Sequence, residues 1–486
     1  MLWHIIKREL YDHLISLRFA LTVGLTTLLM AMNALFFVGS DYRQRLEDYS
    51  KNVASVADTV RKNAEHLNDL ADKGPVALYK RPSPLSFCAN DQDDTLPIRI
   101  HAGLRGSGGR GDGQYFYSFN SPWILQYVQD TYQKNSMLQT FTALDWAFII
   151  GVVISFVAFL FTFDAISGER ERGTLALALS NPVRRGTLLL GKFAAAFLAI
   201  AVPVLIGLLL STLIVAVSGV ASFGGEEWAC IGAMGGLSLI YVALFIGVGL
   251  AVSSRMQGSS TSLLLLLTIW VIVVVLAPNT LGSLVSTLHR TPSQYEFQQR
   301  KNDALETLHR DVYKSDQNMF QHGSPSEANP KREAVELWAK YLKGDWEIET
   351  RFTDEQLDAE FAQVRFARHI LRVSPTAMYN YAMEALAGTG FTRHQRFVDA
   401  ARRYRGRFVD FIKEADKANP DSFHIYGVKE GLSSKPVSFE AVPHFVEPSG
   451  VDVAMRAALV DFSLLVVMAV VGFMGSYVAF LKSPVR

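Results

Sequence analysis

Six blocks of apolar residues constrain the fold of this chain more than any other feature. Each block is close to, or longer than, the roughly 18 residues that cross the hydrocarbon core of a bilayer as a helix. They cover residues 19–38, 144–163, 193–217, 229–252, 260–278 and 457–481. The first block is longer than the apolar region of a signal peptide, and no small-residue cleavage site follows it, so we interpret it as a retained span. The sequence therefore predicts a mainly α-helical, polytopic membrane protein with six transmembrane helices.

Basic residues near the ends of the blocks indicate the orientation of the chain, because Lys and Arg favour the cytoplasmic side of a membrane. The link after the third block contains Glu226 and Glu227 and no basic residue. Six spans with both termini and the 164–192 link in the cytoplasm satisfy this distribution. The basic residues of the short segments are Lys7, Arg8, Arg18, Arg170, Arg172, Arg184, Arg185, Lys192, Arg255, Lys482 and Arg486.

This topology leaves two long segments, 39–143 and 279–455, on the extracytoplasmic side. The first carries 12 basic and 12 acidic residues, and the second carries 23 basic and 25 acidic residues. Neither segment therefore presents the basic surface that nucleic-acid binding requires. The chain has two cysteines, Cys88 in the first long segment and Cys230 within the fourth block, which excludes an exterior stapled by disulfides. We expect Cys88 to react with an impermeant thiol reagent from outside.

The two long segments differ in their patterns. The first opens with apolar residues at 4-3 spacing, which predicts a helix that either extends the first span as a stalk or packs on its own domain. Beyond Gly74-Pro75 the residues are typical of loops. The second segment predicts helices over 295–316, 326–343, 354–372, 377–386 and 393–418, enough for a helical bundle. The fold class thus includes two large extracytoplasmic insertions, both mostly helical.

Neither segment contains a recognisable catalytic or metal-binding motif. Seven histidines are scattered through the second segment without the spacing of an H-E-x-x-H site, and no Ser lies in a G-x-S-x-G turn. We therefore expect a non-catalytic chain with no metal site and no cofactor of its own.

The charged link 164–192 ends in a near-match to a nucleotide-binding loop, "GTLLLGK" from Gly186 to Lys192. A phosphate-binding loop needs a glycine-rich turn after a strand, and a Ser or Thr after the Lys to bind the metal. Here the turn is filled with leucine, Phe193 follows the Lys, and a span begins at once. We interpret the link as a helical hairpin, either a plain membrane-surface connection or a docking element for a cytoplasmic protein.

The stretch "FDAISGERERGTLALALSNPVRRGTLLLGK" resembles the signature of ABC-2-type transporter permeases. The positions that match are Glu169, Arg170, Glu171, Gly173, Thr174, Pro182, Arg185 and Lys192. In that family this loop couples the permease to its ATPase. The amphipathic start "MLWHIIKRELYDHLISLRF", which contains residues 1–18 and the first residue of the first block, resembles the interfacial helix at the family's N-terminus. The six spans also fit a type V exporter-like arrangement.

The long segments resemble a bacterial subgroup of these permeases with large outer domains, the DUF3526-like subgroup. The stretches "RPSPLS", "SPTAMYNYAMEALAGTG" and "FEAVPHF" carry this likeness. The resemblance implies an inner-membrane permease subunit that works with a cytoplasmic ABC ATPase. It also implies a second permease chain, either identical or a paralogue. ATP and Mg would be bound by the ATPase, and a periplasmic partner would suit the two outer segments.

Two further features remain open at the sequence level. Asp461 lies inside the sixth block, where a carboxylate either belongs to a membrane pathway, reaches water, or pairs with Arg456. Gly232 and Gly236 form a small-x-x-x-small pair that would allow close helix packing. The alternative function is a membrane sensor whose outer segments bind a ligand, although no long cytoplasmic segment is present to carry an output.

Overall fold

The computed structural model describes residues 2–90, 96–102, 106–108, 117–119, 125–127, 144–180, 183–278, 292–315 and 331–483. Within them the chain is mainly α-helical, and six helices are long and apolar enough to cross a membrane. The predicted fold class is confirmed. Much of the loop region predicted beyond Gly74-Pro75, the start of the helix predicted at 326–343, and Pro182 of the hairpin lie outside the described residues.

The helices are numbered in chain order. The first seven are α1 (Leu2–Leu14), α2 (Leu17–Asn63), α3 (Leu67–Lys73), α4 (Trp146–Glu171, with a turn before its last segment Ser167–Glu171), α5 (Thr174–Ser180), α6 (Arg185–Ser218) and α7 (Gly225–Arg255). The others are α8 (Ser259–Leu276), α9 (Gln294–Ser315), α10 (Arg332–Leu371), α11 (Pro375–Ala387), α12 (Gly390–Lys417) and α13 (Val451–Leu481). The six candidate spans are α2, α4, α6, α7, α8 and α13.

Local sequence signals explain where the central spans begin and end. Helix α6 ends at Gly219, whose φ of 67° is the left-handed conformation that terminates helices at glycine. Helix α7 begins directly after Gly224, whose backbone N–H donates to the Glu227 carboxylate at 2.7 Å. Glu226 and Glu227 in the first turn also complement the helix dipole.

The spans approach each other closely where glycine removes a side chain. A Cβ at Gly247 of α7 would lie 3.1 Å from backbone atoms of Gly472 and Phe473 in α13. A Cβ at Gly207 of α6 would lie 3.0 Å from Met30 of α2. Gly232 and Gly236, the pair singled out in the sequence, face open space instead, because no atom lies within 4 Å of a Cβ built on either.

The first long segment contains helix and sheet. Helix α2 runs without a break from its span to Asn63, passing through a π-helical stretch at Phe37–Asp41. Strands β1 (Val76–Tyr79), β2 (Arg99–Ala102) and β5 (Leu125–Gln126) then form an antiparallel sheet in the order β1-β2-β5. Strands β3 (Gly106–Gly108) and β4 (Tyr117–Phe119) pair separately. The sheet was not predicted, since these residues read as loops.

The second long segment is helical, but its helices differ from those expected. One 40-residue helix, α10, covers the region where two helices had been predicted at 326–343 and 354–372. Pro375 lies in the first turn of α11, where proline is tolerated, and Gly388 ends that helix with a φ of 64°.

The assignment of the two long segments to 39–143 and 279–455 implies two separate domains. In the structure they form one domain. They share one hydrophobic core, to which Leu70, Ile100 and Leu125 come from the first segment and Phe397 and Phe408 from the second. We call this body the shared domain: α3, the β1-β2-β5 sheet and the parts of α10 and α12 that surround that core.

Helix α11 also departs from the predicted boundaries, because it lies inside segment 279–455 yet packs among the spans. Every residue of α11 except Asn380 is buried. The neighbouring core includes residues of α4 and α7. The segment is therefore not a purely extramembrane insertion.

Both cysteines are buried and free. Cys88 has no exposed surface, and Cys230 is 4% exposed. The expectation that Cys88 reacts readily with an impermeant reagent is wrong for the folded chain, because a buried thiol is out of the reagent's reach.

Candidate functional site

The predicted hairpin lies at the end of the bundle opposite the shared domain, and we call this end the charged end. It comprises the last segment of α4, the short helix α5 and the start of α6. Gly173 makes the turn before α5, with a φ of 73° that a side chain would strain. The Thr174 hydroxyl donates to the carbonyl of Glu169 at 3.2 Å, which fixes the beginning of α5.

Lys192 is the buried centre of the charged end. Its side chain is 3% exposed, and its Nζ donates to Glu169 Oε1 at 2.7 Å and to Glu9 Oε1 at 2.8 Å. A buried ammonium is costly unless it is paired, and here two carboxylates compensate one cation. The ion cluster joins α1, α4 and α6 at one point.

Residues Gly186 to Lys192 do not have the shape of a phosphate-binding loop. These residues belong to the first turns of α6, and a Cβ at Gly186 would lie 2.8 Å from the ring of Tyr477. The ammonium that would contact a phosphate in such a loop is held by two carboxylates instead.

Two arginines of the hairpin cap the ends of other spans. Arg170 donates to the carbonyls of Ser254 at 2.9 Å and Met256 at 2.6 Å, at the end of α7, and to the Ser483 hydroxyl. Arg185 donates to the carbonyl of Leu481 at 2.9 Å, at the end of α13. Cations suit these positions, because the last carbonyls of a helix lack partners and carry its negative dipole end.

Glu171 performs the opposite task at a helix start. Its Oε2 accepts from the backbone N–H of Ser259 at 3.1 Å and from that residue's hydroxyl at 2.7 Å. Ser259 is the first residue of α8, so the carboxylate satisfies a free N–H at the positive end of that helix. The hairpin therefore contacts the ends of α7, α8 and α13 in addition to its own helices.

Helix α1 covers the charged end from one side. Ile5 packs where Gly191 has no side chain, since a Cβ there would lie 2.5 Å from Ile5 Cγ2. The ring centroids of His13 and Phe161 lie 5.3 Å apart with the rings tilted by 45°, and burial lowers the pKa of this histidine. Arg18, in the first turn of α2, pairs with Asp164 at 3.0 Å.

Most of the hairpin's charged side chains bind other parts of the same chain. Fewer of them are therefore available to a partner than the sequence motif predicts, and the outward-facing surface is small. Among the described residues it includes Glu171, Arg172, Gly173, Thr174, the outer face of α5 and Arg184. Leu177 of α5 is 71% exposed, whereas its neighbour Leu175 is 2% exposed. An exposed leucine on a short helix, with exposed arginines before and after that helix in the chain, is a surface suited to a protein partner.

Asp461, the other residue singled out in the sequence, lies far from the hairpin along α13. It pairs with Arg372, with Nε to Oδ1 at 2.6 Å and Nη2 to Oδ2 at 3.1 Å, and not with Arg456. Its side chain is 4% exposed. The structure brings together Glu169, Arg170, Glu171, Arg185 and Lys192, and it separates Asp461 from them.

With this geometry in view, the comparisons with known proteins decide the family. A family model described as ABC-2 family transporter protein matches residues 3–485. The chain belongs to the ABC-2 transporter family. The six helices that are long and apolar enough to cross a membrane agree with a multi-pass membrane protein of this family.

Two relatives match part of this ABC-2 family chain, and both are described as "Probable ABC transporter permease protein NosY". The protein of Pseudomonas aeruginosa is 38% identical over 125 residues, which are 25% of this chain and 44% of the relative. The protein of Stutzerimonas stutzeri is 37% identical over 120 residues, 24% of this chain and 43% of the relative. The match therefore spans less than half the length of each relative.

Three residues of the permease's charged end were not identified from the sequence as site residues: Glu9, Arg18 and Asp164. All three make ion pairs across the bundle. A signal existed for Asp164, which is an isolated carboxylate at the end of an apolar block. Among the described residues, no group of three or more His, Cys, Asp and Glu side chains is placed to hold a metal ion.

Proposed function

We propose that this permease couples ATP hydrolysis by a separate cytoplasmic ABC ATPase to the export or extrusion of a cargo. The observation that carries the proposal is the construction of the charged end. One exposed element, α5, sits on a hairpin whose charged residues bind the ends of α7, α8 and α13. A force applied to α5 would therefore reach several spans at once.

The permease contributes the coupling and not the chemistry of hydrolysis. ATP and Mg would bind to the ATPase. In this chain the Lys192 ammonium pairs with two carboxylates, so it is not available to bind a phosphate. The description of both relatives as ABC transporter permeases agrees with this division of labour.

The proposed complex contains a second permease chain, either identical or a paralogue, and two ATPase subunits. Helices α8 and α13 leave most of their apolar surface uncovered within one chain, which suits contact with lipid or with that second chain. The complex would lie in the bacterial inner membrane, with both termini and the charged end in the cytoplasm and the shared domain in the periplasm.

The docking role of α5 can be tested with two surface substitutions, Leu177→Asp and Arg172→Glu. Both side chains are exposed, so the fold should tolerate the changes. A charge in place of an apolar contact, or a reversed charge, should remove the ATPase from the purified complex. The measurement is co-purification of the ATPase with the tagged permease from membranes, together with ATP hydrolysis by the complex.

The matched control is Val446→Asp, because Val446 is 70% exposed and lies in the segment that leads from the shared domain to α13. This variant should keep the ATPase. Normal ATPase recovery and hydrolysis with both Leu177→Asp and Arg172→Glu would refute the exposed surface around α5 as the docking element.

A further inference from the structure

We propose that α11 is a rigid linker that makes the shared domain follow the spans, so that work done at the charged end is delivered to the domain at the other end. The source of that work rests on the proposed function. The attachment itself is a property of this chain and rests on the contacts of α11 with three spans, on an ion pair to a fourth, and on its links to the shared domain.

The burial of α11 leaves it no independent freedom. Tyr379, Ala382 and Met383 have no exposed surface, and Asn380 is the one residue of the helix that is not buried. Because protein interiors are close-packed, a helix enclosed in this way moves with its neighbours.

Two stacked tyrosines connect α11 to α7 and α4. The rings of Tyr379 and Tyr241 lie 4.4 Å apart. The Tyr379 hydroxyl is 3.0 Å from Ser238 Oγ in α7, 13 positions and about 20 Å from the start of that helix. The Tyr241 hydroxyl donates to the Gly151 carbonyl of α4 at 2.8 Å and lies 2.9 Å from Thr376 Oγ1 in α11. The contacts thus reach deep into the bundle.

We call the contacts of α11 and its N-terminal cap with the spans the junction. Two backbone carbonyls in it, those of Gly151 and Val273, belong to π-helical stretches of the spans. Gly151 lies in the stretch Ile149–Ile154 of α4, and Val273 lies in the stretch Val271–Leu276 of α8. The hydroxyl of Ser374, which caps α11, donates to the Val273 carbonyl at 3.0 Å. Such stretches interrupt regular α-helix and occur frequently at functional sites. The junction therefore holds α4 and α8 where their helical geometry changes.

An ion pair attaches the beginning of this junction to α13. Arg372 follows α10 directly and binds Asp461 through two hydrogen bonds. Asp461 is almost fully buried, so the pair is shielded from solvent and fixed in geometry. This gives Asp461 a positioning role in the attachment.

The C-terminal end of α11 is tied to the segment that follows β1, and it leads directly into α12 of the shared domain. Thr389 Oγ1 donates to the Ala89 carbonyl at 2.7 Å, and the Ser83 hydroxyl donates to the Ala387 carbonyl at 2.5 Å. Arg393 of α12 pairs with Glu447 at 2.7 Å. The stretches "RPSPLS" and "SPTAMYNYAMEALAGTG" therefore meet at this end of α11.

The experiment measures one distance within the chain by pulsed electron paramagnetic resonance in lipid nanodiscs. Spin labels are placed on introduced cysteines at Ser222, in the link between α6 and α7, and at Asp410 on α12; both positions are exposed. Labelled chain is diluted with unlabelled chain so that distances between chains do not contribute. Because Cys88 and Cys230 are buried, the parent chain should take up little label.

The principal variant is Gly151→Leu. A Cβ at Gly151 would lie 3.6 Å from the Tyr379 ring, so the additional carbons of leucine would displace α11 from α4. The control is Gly232→Leu, where no atom lies within 4 Å of a Cβ. A second variant, Tyr241→Phe with Tyr379→Phe, keeps the ring volumes and removes the hydroxyl contacts. It tests the same attachment if Gly151→Leu does not fold.

The parent chain and Gly232→Leu should give one narrow distance distribution, unchanged when the complex is trapped with ATP and vanadate. Gly151→Leu should shift or broaden it by more than about 2 Å, and the double phenylalanine variant should broaden it less. A parent distribution that splits on trapping, or a Gly151→Leu distribution identical to the parent's, would overturn the proposal. Because the measurement without nucleotide needs no ATPase, its result is independent of whether α5 docks one.

Discussion

Burying Lys192 requires compensation that a single carboxylate would provide only in part. An ammonium transferred from water to a protein interior loses several kcal/mol of solvation. Glu9 and Glu169 both approach it within 2.8 Å, and Glu169 Oε2 has no hydrogen-bond partner among the described residues. With two carboxylates and one ammonium, the cluster carries one negative charge in excess. Removing the lysine should therefore destabilise the fold more than removing either carboxylate.

Replacement of Lys192 by Met should consequently destabilise the chain by about 3–5 kcal/mol, the cost of breaking a buried ion pair by removing one partner. The measurement is the unfolding transition of the detergent-solubilised chain. The exposed Lys482→Met change is the matched control and should have little effect. Adding Glu9→Gln and Glu169→Gln to Lys192→Met should recover most of the loss. Equal stability of the two lysine variants would contradict the ion-cluster interpretation.

The sequence identified the residue types at this site but not their partners. The motif marks Glu169, Arg170 and Glu171 as important. Arg170 binds backbone carbonyls at the end of α7, and such acceptors leave no trace in a sequence. Glu9 is 183 positions from Lys192, and nothing local indicates that α1 folds back over the start of α6. Most of these charges hold the spans together, so the docking of a partner on the hairpin rests on the exposed helix α5 and stays a prediction.

At the scale of helices, glycine decides which spans come into contact. Gly247 of α7 faces the backbone of α13 at Gly472, and backbone atoms cannot rotate away as a flexible side chain can. Gly236, on the same helix, faces open space. Substitutions at Gly247 and Gly236 therefore test whether α7 packs closely against α13 at the first position and not at the second.

Gly247→Ala should lower the stability of the chain by about 1–3 kcal/mol, because an added methyl group would force α7 and α13 apart. Gly236→Ala should be neutral or stabilising by up to about 1 kcal/mol, since alanine is the better helix former. Both are measured as unfolding midpoints in the same detergent. A larger loss at Gly236 than at Gly247 would show that the exposed face is packed against another chain in the preparation.

The elements that sequence patterns missed are short or depend on distant partners. Strands β1 and β2 have four residues each, too few for an alternating pattern to stand out in a segment rich in Pro and Gly. Helix α11 was predicted at 377–386, close to its observed bounds, but its surroundings were not. An apolar helix in an outer segment predicts burial without indicating whether a domain core or the spans provide it.

At the scale of the whole molecule, the shared domain is the main departure from the expected architecture. Its core joins Leu70 and Ile100 of the first segment to Phe397 and Phe408, roughly three hundred positions later in the chain. The six spans could be predicted because each one is encoded in a continuous run. The shared core could not, because it depends on the spans bringing the two segments to the same end of the bundle.

That arrangement makes the orientation of the chain testable with two introduced cysteines. Asp410→Cys lies on the shared domain, and Ser180→Cys lies on α5 at the charged end; both positions are exposed. If the charged end is cytoplasmic, an impermeant maleimide should label Asp410→Cys in intact spheroplasts and Ser180→Cys only in inverted vesicles. The parent chain, whose cysteines are buried, should be labelled in neither until it is denatured. Labelling of Ser180→Cys in intact spheroplasts would reverse the topology and remove α5 from the reach of a cytoplasmic ATPase.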